Sequence, residues 1–165
     1  MISTARRVEY AYGYIELGLL DAARSELAAI VGDERYFVSV SRVQVELHMA
    51  GKQWNDVIVH ATHVIATNPE IHDVWVAWAY ALRELNRVAE ALEVLGRGVL
   101  LHGSEHAVFH YNLGCYHCLL GDQVAAKRAL KQACLMDESF RASALEDRDY
   151  EAIWPELRRR GSSKK

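Results

Sequence analysis

Gly121-Asp122-Gln123-Val124-Ala125-Ala126-Lys127-Arg128-Ala129-Leu130-Lys131-Gln132-Ala133 is the fourth statement of a pattern that also runs through Gly18 to Ile30, Gly51 to Val64 and Asn86 to Gly98. In each copy a turn residue is followed by a small or branched one (Ala23, Val57, Ala91, Ala126), then by Leu27, Ala61, Leu95 and Leu130, then by Ile30, Val64, Gly98 and Ala133. Successive copies are 34, 34 and 35 residues apart in all three columns. A period that stays in phase across three columns describes one supersecondary unit stacked on copies of itself, because a lone unit cannot bury its apolar face. Within a copy, apolar residues recur every three or four positions, in Val74-Trp75-Trp78-Ala79-Leu82-Leu85 and again in Ala91-Leu92-Leu95-Val99, which predicts an antiparallel helix pair. Asn68-Pro69 and Gly103-Ser104 supply stop and start chemistry between copies.

The rest of the composition bounds the answer. A chain of 165 residues with 51% apolar and 25% charged residues has room for one array and a core, and predicts one domain. A net charge of −3 offers no electrostatic attraction to nucleic acid or an anionic membrane, so neither is expected as a partner. The start, Met1-Ile2-Ser3-Thr4-Ala5-Arg6-Arg7, lacks the apolar core of a signal peptide, and the expected compartment is the cytoplasm. The three cysteines Cys115, Cys118 and Cys134 form an odd set and are expected as free thiols.

The residues resemble the tetratricopeptide repeat: Trp75-x2-Trp78-Ala79-x2-Leu82 with Ala91-x3-Leu95-x2-Gly98, and Tyr111-Asn112-Leu113-Gly114 with Gly121, Ala126, Leu130 and Ala133, follow its signature W-x2-L-G-x2-Y, A, F, A, P. His110 stands where the family usually has Trp, and Pro69 where a repeat-ending proline belongs. The first repeat is weaker, with Tyr10 and Tyr14 expected at buried first-helix positions. The second is read with one extra residue in the turn between Gly51 and Trp54. The resemblance implies an all-α solenoid, with the array over 1–138 (repeats at about 3–34, 35–69, 70–103 and 104–138), capping helices over 139–160 and a disordered tail over 161–165. Pro155 predicts a break near Ile153-Trp154.

In such arrays the first helix of each repeat lines a concave surface, and the resemblance implies a stripe at its positions 2, 5, 9 and 12. The stripe reads Ala5, Val8, Tyr12 and Ile15; then Val38, Ser41, Val45 and His48; then Asp73, Val76, Tyr80 and Arg83; then Val108, Tyr111, Cys115 and Cys118, with Arg42 and Asn112 beside it. Its apolar and aromatic character suits a peptide or helix of a partner protein, with Tyr12, Tyr80 and Tyr111 giving contact area and Arg42, Asp73, Arg83 and Asn112 setting register. Packing against the chain's own C-terminal segment, or self-association into a homo-oligomer, would use the same side chains. The residue pattern of a carboxylate clamp for chaperone tails is absent in either frame: Val8 and Tyr12, Arg42, then Asp73 and Ala77 replace its Lys and Asn set.

The expected role is therefore a non-enzymatic protein-interaction adaptor or scaffold. A chaperone similar to those of type III secretion, cradling an apolar translocator segment, is the alternative within the fold. A metal- or redox-responsive protein using His106, His110 and Cys115-x-x-Cys118 is the alternative outside it, with His102 or Glu105 as a further ligand. That C-x-x-C falls in mid-helix and lacks a second pair, and His110 occupies a core position, so no metal or cofactor is expected. No phosphate loop, nucleophile elbow or paired acids support an enzyme.

Overall fold

The computed structural model describes residues 2–31 and 38–161, and the described residues are helices joined by short turns, with no strand among them. In chain order the helices are α1 (Thr4–Glu16), α2 (Leu20–Ala28), α3 (Val38–Ala50), α4 (Trp54–Thr67), α5 (His72–Glu84), α6 (Val88–His102), α7 (Ala107–Leu119), α8 (Gln123–Met136) and α9 (Ser139–Glu146). A 3-10 segment, Arg148–Ile153, then leads into α10 (Trp154–Gly161). No helix among the described residues is long and apolar enough to cross a membrane.

The 34-residue beat has a backbone cause. Among the described residues, those with positive φ are Gly18 (73°), Lys52 (55°), Asn86 (60°) and Gly121 (83°), one in each three-residue connection between the two helices of a repeat. A left-handed residue at this place lets the next amides turn back onto the last carbonyls of the helix. Leu19 N–H donates to Tyr14 C=O at 2.8 Å, Gln53 N–H to His48 C=O at 2.8 Å and Asp122 N–H to His117 C=O at 2.9 Å. Gly and Asn tolerate this conformation, whereas Lys52 holds it at a cost of about 1–2 kcal/mol. The in-phase turn residue of the second repeat is thus Lys52 and not Gly51, and the connection from α3 to α4 contains no extra residue.

The chain forms two compact units, Met1–Leu85 and Asn86–Lys165, the division falling inside the repeat expected over 70–103. In the N-terminal unit α1 packs on α2 and α3, and α3 on α4 and α5. Val8, Ala11, Ala23, Leu27, Ile30, Val40, Val43 and Leu47 form its first core layer. Val57, Ala61, Val64, Val74, Trp75, Ala79 and Leu82 are buried beyond it. Tyr10, expected in the core, is 41% exposed, since α2 and α3 leave its face of α1 uncovered, and its hydroxyl accepts from Arg6 Nε at 3.3 Å. Trp75 is buried with its indole N–H on the Pro69 carbonyl at 2.8 Å.

In the C-terminal unit α7 packs on α6, α8 and the 3-10 segment. Thirty-five residues after Trp75, His110 makes an equivalent bond, donating from Nε2 to the Gly103 carbonyl at 2.9 Å. A ring N–H that closes the loop before the helix is what the two residues share, which explains how His110 replaces the usual Trp. The capping segment departs from regular helix: Asp147 caps the 3-10 segment through the Asp149 amide (3.0 Å), and α10 starts at Trp154 with Pro155 in its first turn. Residues 162–165 of the expected tail lie outside the described residues.

Candidate functional site

Counting back from the left-handed turns fixes which side chains share a face. The residues six before each turn are Tyr12, Glu46 and Tyr80 in the N-terminal unit, and the residues ten before are Val8, Arg42 and Val76. The second repeat's stripe therefore contains Arg42 and Glu46, one position later than the sequence frame put it. Val45 and Ser41 belong to the core at 2% and 4% exposure. His48 turns toward α4, where its Nδ1 lies 3.0 Å from Gln53 Oε1 and its ring stacks on His60, centroids 5.2 Å apart.

The N-terminal unit thus presents one polar and aromatic face on α1, α3 and α5. Arg42 Nη2 donates to Asp73 Oδ2 at 2.6 Å, tying α3 to α5, and the other Asp73 oxygen accepts from the Val74 amide at 3.1 Å. Tyr12 is half-buried beside this pair, with its phenol pushed above the usual range by loss of water and then pulled back in part by Arg42. Glu46 is exposed, yet its neighbours strip enough water to raise its carboxyl above the ordinary value, an effect that Asp73 reinforces and Arg42 opposes. Tyr80 is exposed and meets the edge of Trp54 at 5.8 Å. Val76 is half-buried, and Arg83 pairs with Glu84.

The equivalent face of the C-terminal unit is occupied by the chain itself. Tyr111, Cys115 and Cys118, expected to line an open groove, are buried beneath the 3-10 segment. Tyr111 Oη donates to Asp147 Oδ2 at 2.8 Å, the Cys115 thiol points to the same oxygen at 3.6 Å, and Tyr150 Oη donates to the Tyr111 carbonyl at 2.6 Å. Phe140 also packs on Tyr111, the two rings tilted by 32° with centroids 4.8 Å apart. Gly114 is the notch that admits Tyr150: a Cβ there would stand 2.1 Å from the Tyr150 hydroxyl. Asn112, beside this face on α7, is half-buried.

These surroundings do not suit thiol chemistry. Burial and the Asp147 and Asp149 carboxylates push Cys115 well above the usual thiol range and Cys118 to about 11, so both are protonated at neutral pH. His106 sits at the N-cap of α7, His110 is committed to Gly103, and no group of three or more potential metal ligands occurs among the described residues.

His60 on α4 is half-buried against His48. Loss of water lowers its affinity for a proton, His48 and His63 lower it further, and Asp56 offsets part of the effect. The unfolded imidazole takes its proton near pH 6.5 while the folded one resists, so this group's contribution to stability is complete above about pH 6.5 and falls as the pH drops below it. Urea midpoints of the wild type are expected to fall between pH 7.5 and 5.5, and His60→Gln should shrink that drop; an undiminished drop would assign it elsewhere.

Neither a family model nor a curated protein matches the chain. Solved structures do. A crystal structure of MamA protein shares 16% identity at a TM-score of 0.78, over 94% of this chain and 86% of that one. A second MamA crystal structure gives 15% and 0.74, over 93% and 95%. MamA MSR-1 C2 gives 19% and 0.72, over 84% and 79%. The likeness shows the fold: this chain has the all-α, tetratricopeptide-type helical architecture of MamA.

Proposed function

We propose that the protein is a non-catalytic interaction module that holds a segment of another protein on the α1–α3–α5 face of its N-terminal unit. The observation that carries this reading is the contrast between equivalent positions. Cys115, six residues before the Gly121 turn, is sealed by the chain's own Asp147–Ile153 segment, whereas Tyr12, Glu46 and Tyr80, six before theirs, keep accessible atoms. Flat aromatic area beside ordered charges is the composition of a surface that gains by excluding water from a partner. The fold is one generally used for protein interaction, which agrees with this reading.

Binding here is burial supplemented by polar register. Tyr80 provides the largest exposed aromatic surface of the face, and the Arg42–Asp73 pair fixes the two helices on which a segment would lie. Tyr80→Ala is expected to reduce partner capture from a native lysate at least about tenfold, the scale of a buried aromatic anchor. Its helical circular dichroism should be unchanged, because Tyr80 is 40% exposed and not part of the core. Undiminished capture by a folded Tyr80→Ala protein would move the site elsewhere.

A further inference from the structure

Across α1, α3 and α5 the row six residues before each turn reads aromatic, acidic, aromatic: Tyr12, Glu46, Tyr80. Glu46 makes no hydrogen bond or ion pair among the described residues, although Arg42 stands one helical turn before it. Arg42 is committed to Asp73, and its Nε is buried without an acceptor, so the guanidinium is not shared with Glu46. The Arg42–Asp73 pair is neutral as a unit. The charge left on the row is the Glu46 carboxylate, flanked by two tyrosine rings.

We infer that the partner segment presents a lysine or arginine side chain to Glu46, between Tyr12 and Tyr80. The inference rests on the reading of this face as a protein-binding surface. A carboxylate supplies a charge-assisted acceptor, and the negative faces of the two rings attract the same cation. An acidic side chain would meet the Glu46 carboxylate and be repelled. A neutral one would take water from Glu46 without replacing it, which costs free energy. The raised Glu46 carboxyl, already short of water, agrees with a site that a cation completes.

The test is selection from a phage-displayed library of random dodecapeptides on the immobilised full-length protein, with Glu46→Gln and Tyr80→Ala proteins as parallel baits. Glu46 is exposed, so its replacement leaves the core intact, and circular dichroism verifies that. Wild type should enrich peptides with Lys or Arg dominant at one aligned position, and that dominance should vanish on Glu46→Gln. A selected peptide should bind Glu46→Gln about fivefold more weakly, the scale of one accessible ion pair. Replacing its cation by Gln should cost the same factor on wild type and nothing further on Glu46→Gln. Enrichment that is indifferent to charge, or a Lys/Arg preference that survives on Glu46→Gln, overturns the inference; if such enrichment is still lost on Tyr80→Ala, the binding face itself stands. No enrichment on wild type overturns both.

Discussion

Tyr150→Ala is expected to destabilise the C-terminal unit by about 3–5 kcal/mol, the range for deleting a fully buried aromatic ring. Tyr150 has no exposed surface, lies 5.2 Å from the Tyr111 ring and donates its hydroxyl to the Tyr111 carbonyl. Its removal takes away the ring that holds the 3-10 segment on α7, and with it the cover over Cys115 and Cys118. Urea unfolding followed by circular dichroism measures the loss. Native-state labelling with a thiol reagent reports the cover: both cysteines should be slow in the wild type and fast in the variant. Unchanged labelling would mean that the segment does not depend on Tyr150.

Gly114→Ala should act through the same contact from the opposite side. The added methyl would lie 2.1 Å from the Tyr150 hydroxyl and 3.0 Å from its ring carbon, and the ring cannot retreat because it is enclosed. Overpacking of this kind costs about 1–3 kcal/mol. Breaking the 2.6 Å bond to Tyr111 adds about another 1 kcal/mol. The mechanism has a signature that a generic helix effect lacks, since alanine is the better helix former and would otherwise stabilise α7. In a Tyr150→Ala background the methyl has nothing to strike, so the double variant should be more stable than the sum of the two losses predicts, by a coupling of about 0.5–3 kcal/mol. Additive losses would contradict the notch.

How much of this was legible in the sequence depends on whether the information was periodic. The columns through Ala23, Val57, Ala91 and Ala126 are all buried or nearly so in the structure, because a repeat writes its packing into spacing. The same arithmetic extended from Tyr12 by 34 residues twice reaches Glu46 and Tyr80, so the signal for Glu46 was present. It was obscured by Gly51, a conspicuous turn residue one position before the backbone's left-handed Lys52, which shifted the second stripe onto Val45 and His48. The cap was legible as helical segments but not as a cover. The bonds from Asp147 and Tyr150 to Tyr111 and Cys115 span 32 to 39 residues, obey no period and involve residue types that suit an open groove equally well. Burial of Tyr111, Cys115 and Cys118 is a tertiary event that no local pattern announces.

The central claim is that a partner lies on the α1–α3–α5 face of the N-terminal unit, and photocrosslinking tests it most directly. Benzoylphenylalanine is placed in the full-length protein at position 80 on that face, and separately at position 59, where Val59 is 59% exposed on α4. Illumination in native lysate should give a discrete higher-mass adduct from position 80 and none from position 59. An adduct from position 59 with none from position 80 would contradict the assignment.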